Sequence, residues 1–157
     1  MPSQKVKEFL DQHKIKYVTI KHSLAFTAQE IAASAHIKGK ELAKTVLVKV
    51  DGKMIMTVLP ASYKIDFDLL KKYLGCNNCR LANETEFKDK FPDCEVGAMP
   101  PFGNLFNMEV VVADSIAKNE FIAFNACSHT ELIQMEYKDF EKLVKPRVLS
   151  FSYQSKL

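Results

Sequence analysis

The sequence predicts an α/β protein with a mixed, largely antiparallel sheet flanked by short helices, and three observations lead there. Two apolar runs, 45–50 and 53–59, flank Asp51-Gly52, a dipeptide that accepts the positive φ of a tight hairpin. Further short apolar stretches of strand length follow at 109–113, 121–125 and 131–134. Between the strands lie segments with helical spacing and cap residues at their ends.

Taken in order, Val6, Phe9, Leu10 and His13 recur at helical spacing, with Ser3 as the N-cap. Tyr17-Val18-Thr19-Ile20 is aromatic and β-branched and reads as a strand. Thr27-Ala28-Gln29-Glu30 is a capping box opening a short helix through Ile31 and Ala32, which assigns Glu30 to the helix and not to chemistry. Pro60 stops the second hairpin strand. Asp66 caps a helix carrying Phe67, Leu69, Leu70, Tyr73 and Leu74, and Gly75 ends it. Asn83 with Glu86 marks another short helix to about residue 90, and a last helix over 138–144 ends before Pro146. In the tail, Leu149, Phe151 and Tyr153 alternate like an edge strand.

The 157 residues are expected to form one domain, 1–157, since no Pro- or Ser-rich linker divides them. Hydrophobic residues at 47% and charged residues at 26% argue against disorder. A net charge of +3 permits contact with RNA phosphates but lacks the clustered basicity of dedicated nucleic-acid binders. The apolar runs are too short to cross a bilayer, and Met1-Pro2-Ser3-Gln4-Lys5 leads into an amphipathic pattern instead of a signal core. The expectation is a cytoplasmic protein with no membrane partner. Cys76-Asn77-Asn78-Cys79 has C-x-x-C spacing, and Cys94 and Cys127 supply the number of thiols a zinc site needs. The second pair lacks that spacing, however, and no strand-then-helix context frames the first. Reduced, structurally neutral thiols are therefore expected, with no metal and no cofactor.

The segment Gly97-Ala98-Met99-Pro100-Pro101-Phe102-Gly103 sets two glycines around two prolines and an aromatic. Glycine allows close approach of backbone, while proline fixes φ and removes a donor. Such a loop either connects two elements as a turn or forms a rigid ligand wall. Two other segments, Leu42-Ala43-Lys44-Thr45-Val46 and Phe124-Asn125-Ala126-Cys127-Ser128-His129, bear on that choice.

Together these segments resemble the YbaK/ProX family of free-standing aminoacyl-tRNA deacylases, related to the editing domain inserted in bacterial prolyl-tRNA synthetases. His22 with Thr27-Ala28-Gln29-Glu30 is similar to the family's early "H…TA-x-E" segment, Ala43-Lys44-Thr45 to its "AKT" and Leu59-Pro60-Ala61 to its "LPA". Residues 97–103 resemble its G-x-x-P-x-F-G loop, and Phe124-Asn125-Ala126 its "FNA" strand. Five motifs in the family's order span nearly the whole chain. The resemblance implies a curved, barrel-like sheet and an aminoacyl-tRNA substrate bound by its acceptor end, with prolyl-tRNA synthetase as a further partner.

The chemistry implied is ester hydrolysis of a mischarged tRNA carrying a small amino acid such as alanine or cysteine on tRNA-Pro. The sequence holds no G-x-S-x-G elbow and no H-E-x-x-H helix. That fits a substrate-assisted attack, in which position and electrostatics carry the reaction. Lys44 is the expected catalytic residue, a cation at the mouth of an apolar strand. Gly97, Ala98, Met99, Pro100, Pro101, Phe102 and Gly103 are expected to form the amino-acid pocket, with Phe102 equally suited to the core beneath it. Asn125, His129 and His22 are the remaining substrate-binding candidates. Cys127 departs from the glycine usual after "FNA" and puts the substrate preference in question; as a nucleophile beside His129 it lacks assured contact. The alternative function is a non-catalytic aminoacyl- or nucleotide-binding module assisting a synthetase.

Overall fold

The structure, a computed structural model, describes residues 4–22 and 38–154. The expected Ser3 cap and the capping box at Thr27 lie outside the described residues. Helix α1 spans Gln4–Gln12 and leads into β1, Tyr17–Lys21. The hairpin follows as β2, Ala43–Val50, and β3, Lys53–Pro60, in antiparallel register from Ala43 opposite Pro60 to Val50 opposite Lys53. Pro60 is therefore the last paired residue of β3, not a stop before it. Asp51 and Gly52 both take positive φ, as the hairpin requires.

The rest of the chain adds β4, Tyr63–Ile65; α2, Phe67–Leu74; β5, Cys79–Leu81; and α3, Glu84–Phe87. It continues with β6, Val110–Ala113; α4, Asp114–Ala117; β7, Phe121–Asn125; and β8, Glu131–Glu136. It closes with α5, Tyr137–Val144; β9, Arg147–Leu149; and β10, Ser152–Gln154. Cap chemistry explains the helix bounds. The Asp66 carboxylate accepts from the N–H groups of Asp68 and Leu69, and Gly75 ends α2 in the left-handed region. At α3 the Glu86 carboxylate accepts from Asn83 N–H at 2.7 Å and from Arg80 at 2.8 and 3.0 Å.

Ten strands form three sheets among the described residues. The five-stranded sheet has the order β5-β2-β3-β6-β9, with β3/β6 and β6/β9 parallel and the other pairs antiparallel. A three-stranded antiparallel sheet has the order β1-β8-β7, and β10 pairs with β4. The sheet is mixed and largely antiparallel, as the sequence predicts. It does not close into a barrel; one parallel bridge, Leu42 to Ala123, joins the entry to β2 to β7.

The main core lies between the two larger sheets. Leu47, Met56, Val58 and Val112 meet Ile122, Phe124, Ile133 and Met135 there, capped by Val6 and Leu10 of α1 and Phe140 of α5. A second cluster, including Val48, Ile55, Val111, Leu70 and Phe151, covers the opposite face of the five-stranded sheet. Burial on both faces is why β3 and β6 read as continuous apolar runs instead of alternating ones. The expected edge strand in the tail divides in two, because Phe151 is fully buried between β9 and β10.

Candidate functional site

Strand parity decides what Lys44 faces. Ala43 and Leu47 point into the main core, whereas Lys44 pairs with Leu59 and shares the opposite face with it. The bridge between Leu42 and Ala123 then sets Lys44 beside β7. Two residues beyond that bridge, on the same face of parallel strands, stand Lys44 on one chain segment and Asn125 on the other. Leu42, Ala123 and Leu132, with Ile20 and Ala61 packed on them, form an apolar floor beneath the pair. Ala61 is fastened there by donating its N–H to Leu42 O at 2.8 Å. His22 continues β1 by one position, donating its N–H to Thr130 O at 2.8 Å, and lies two residues on from Ile20 of that floor.

Lys44 is half-buried at the wall of a cleft of about 390 Å³ lined by Val46, Leu59, Lys64, Ile65, Phe67 and Leu81. Burial pulls its ammonium below the usual lysine pKa, and the neighbouring Lys64 ammonium adds to that shift. Lys64 was not singled out by sequence reasoning. It sits on β4, a three-residue strand too short for a periodic signal, and only its position five residues after Leu59 hints at the face it shares. A second cleft of similar size adjoins the first on the Leu42 side, bordered by Lys40, Ala61, Ser62 and Gln154. A further cleft of about 520 Å³ lies along β1 and β8 between Lys14, Tyr17, Gln134 and Asp139, and none of the candidate residues lines it.

The loop over residues 97–103 splits into a rim and a plug. Gly97 is exposed and takes φ +86, while Ala98 through Gly103 are all buried. Ala98 donates its N–H to Glu95 O at 3.0 Å and accepts from Cys127 N–H at 2.9 Å, so its backbone donor is used within the protein. Met99 and Phe102 belong to the main core, and Phe102 meets the rings of Phe9, Phe124 and Phe140 edge-on. Pro100 and Pro101 lie buried beside them. At Gly103 a Cβ would stand 2.5 Å from Met108 O and from Val110 Cγ2, so only glycine fits. The exposed part of the loop narrows to Gly97 and Val96 next to it.

His129 belongs to this rim. Its Nε2–H donates to Val96 O at 2.7 Å, which leaves Nδ1 as the acceptor. Its backbone N–H donates to Glu95 Oε2 at 3.0 Å, and the imidazole lies where a Cβ on Gly97 would approach within 3.4 Å. The structure therefore sets Lys44 and Asn125 each two residues beyond the Leu42–Ala123 bridge, places His22 at the end of β1 and ties His129 to Val96 and Gly97, while Ala98 to Gly103 are buried.

The cysteines differ from expectation. Cys94 and Cys127 form a disulfide, so Cys127 is not a free nucleophile and a four-cysteine zinc site does not assemble. Cys76 and Cys79 remain free, in a turn whose Asn77 and Asn78 N–H groups donate to the Asp51 carboxylate. The C-x-x-C segment serves to dock the hairpin tip.

Residues 22–143 fit the model of the aminoacyl-tRNA editing domain. The chain belongs to that family. It is also 25% identical over 100 residues to proline–tRNA ligases of Bacillus mycoides (strain KBAB4) and Bacillus cereus (strain AH187), covering 64% of this chain. It spans only 17% of the length of those ligases. Among solved structures, a proposed trans-editing enzyme for prolyl tRNA synthetase superposes with a TM-score of 0.83 at 15% identity, over 97% of both chains. A protein described only as hypothetical superposes at 0.82 with 19% identity, over 96% of this chain and all of the other. At such identities the superpositions establish the shared fold. No helix among the described residues is long and apolar enough to cross a membrane.

Proposed function

We propose that this editing domain hydrolyses, in trans, the ester joining a small amino acid such as alanine or cysteine to the 3′-terminal ribose of a mischarged tRNA-Pro. The observation that carries the reading is the position of Lys44 and Asn125, each two residues beyond the Leu42–Ala123 bridge, with Lys44 at the wall of a cleft. Membership of the editing-domain family supports the substrate class, and similarity to the Bacillus proline–tRNA ligases supports tRNA-Pro and prolyl-tRNA synthetase as a partner. The whole chain, 1–157, acts as one editing domain at the acceptor end of the tRNA, in the cytoplasm.

In this mechanism the Lys44 ammonium faces the oxygen that gains charge as water adds to the ester carbonyl, or the adjacent phosphate. Removing one such electrostatic group costs about 2.7–4 kcal/mol of transition-state stabilisation, a rate loss of roughly 10²–10³. The half-burial of Lys44 places it toward the lower end. The neighbouring ribose hydroxyl of the substrate relays the proton of the attacking water. The products are free amino acid and tRNA with its 3′-terminal hydroxyls restored. Asn125 orients the ribose or carbonyl, and His22, Gly97 and His129 border the amino acid, with Ala98, Met99, Pro100, Pro101, Phe102 and Gly103 fixing the rim from beneath. Steric exclusion of larger side chains is easier than selection by one methylene, worth about 1–3 kcal/mol.

The deciding experiment is hydrolysis of tRNA-Pro charged with alanine, serine, cysteine or proline by wild type and Lys44→Ala. A loss of about 10²-fold in the variant, on a small amino acid, is the expected result. A folded Lys44→Ala protein that hydrolyses at the wild-type rate refutes the mechanism. The competing reading, a binding module without turnover, is motivated by the modest net charge of +3 and by Cys127 in place of the family's usual glycine. Tight binding with no hydrolysis across the panel would establish that instead.

A further inference from the structure

Cys127 holds a backbone conformation that L residues rarely adopt, with φ +66. The left-handed region costs a side-chain-bearing residue roughly 1–2 kcal/mol relative to glycine. The residue placed there bonds to Cys94 across 33 positions of sequence, with Cα atoms 4.2 Å apart. That bond joins the two segments that build the rim: Cys94 lies three residues before Gly97, and Cys127 two after Asn125. Three hydrogen bonds converge on the same junction. Glu95 N–H donates to Cys127 O at 2.9 Å, Cys127 N–H to Ala98 O at 2.9 Å, and His129 N–H to Glu95 Oε2 at 3.0 Å.

The sulfurs differ in access. Cys127 is 3% exposed, whereas Cys94 is half-buried and borders a small cavity with Cys127, Lys5, Lys90 and Asp93. In the other cysteine pair, burial pushes the Cys79 thiol up to about 11 and keeps it protonated.

We propose that Cys94 and Cys127 form a reversible thiol–disulfide site that locks and releases the rim of the pocket in response to dithiol reductants. One thiolate of the dithiol attacks Sγ of Cys94, the more accessible sulfur. The Cys94–Cys127 bond breaks, Cys127 leaves as a thiolate and takes a proton, and a mixed disulfide forms on Cys94. The second thiolate of the dithiol then displaces Cys94, which is protonated in turn. Two electrons pass to the protein, and the dithiol becomes a cyclic disulfide. Oxidation by a small disulfide runs the exchange backwards. With the bond intact, residues 95–98 are pinned to the end of β7; without it, they are held by hydrogen bonds alone and open more often. The redox site stands on its own geometry; its effect on deacylation rests on the proposed function.

The test equilibrates the full chain across a series of reduced-to-oxidised glutathione ratios, finished with a dithiol arm. Thiols are trapped by alkylation and mapped by mass spectrometry, and amide hydrogen exchange of the 95–103 peptide is followed on the same samples. The expected result is interconversion of the 94–127 bond in the folded protein, with Cys76 and Cys79 alkylated throughout. Exchange of 95–103 rises several-fold on reduction, and Cys94→Ser/Cys127→Gly shows the fast exchange at every ratio. Cys76→Ser/Cys79→Ser behaves as wild type. Four free thiols under oxidised glutathione, a bond reducible only in denaturant, or equal exchange in both states would each overturn the proposal. If no aminoacyl-tRNA is hydrolysed but bond and exchange still switch, the proposed function fails while the redox site stands. If hydrolysis is seen, KM rises several-fold on reduction; an unchanged KM overturns the coupling to activity.

Discussion

Phe102→Ala separates the two roles that residue 102 is suited to, wall of the amino-acid pocket or plug of the core. The side chain is fully buried, with ring centroids of Phe9, Phe124 and Phe140 at 6.0, 5.4 and 5.5 Å. Three edge-on contacts and no exposure leave little room for collapse, so truncation costs about 3–5 kcal/mol. That is about a fifth or more of a typical domain stability of roughly 5–15 kcal/mol. For a chain of this length, about 2–4 °C is lost per kcal/mol, which puts the fall in Tm at roughly 6–20 °C. Phe102→Leu keeps much of the volume and costs only about 1–2 kcal/mol. Thermal and urea unfolding followed by circular dichroism measure both, and hydrolysis is assayed well below the variant's Tm. The reasoning is refuted if Phe102→Ala retains wild-type stability while losing hydrolysis, because the ring would then act on substrate and not on the core.

Gly103→Ala is expected to destabilise by more than 2 kcal/mol (~), because its Cβ meets the Met108 carbonyl at 2.5 Å and backbone cannot yield as a flexible side chain would. Gly97→Ala costs about 1–2 kcal/mol from its φ of +86 and crowds His129 instead, so urea midpoints should rank Gly103→Ala below Gly97→Ala. Activity that depends on the Lys44 ammonium should fall as pH rises through a midpoint below the ordinary lysine value, since burial and Lys64 both favour its neutral form. Lys64→Met removes one of those causes and should move the midpoint up; a midpoint that stays put would exclude Lys64 from the site's electrostatics. The same lowered pKa means that folding opposes the Lys44 charge below the midpoint, a cost that shrinks as pH rises from that midpoint and is gone above the ordinary lysine value.

Local chemistry in the sequence accounts for much of this molecule. The Asp51-Gly52 turn, the Asp66 and Gly75 caps of α2 and the Asn83–Glu86 pair each act over a few residues, so the amino acids alone specify them. Three-residue strands such as β4 and β10 escape such reading, because their pairing partners lie about 90 residues away and periodicity needs a longer run. The candidate site shows the same division. Residue types marked Lys44, Asn125, His129 and the loop at 97–103, but strand parity and one bridge at Leu42–Ala123 decided that Lys44 and Asn125 share a face. Equally, the sequence displayed Gly97 to Gly103 as one motif, whereas packing divided it into an exposed rim residue and a buried plug. Neither the alternation of a strand nor the spacing of cysteines states what will stand across from it. That is settled only when the sheets close on a common core, which is also what brought Cys94 to Cys127.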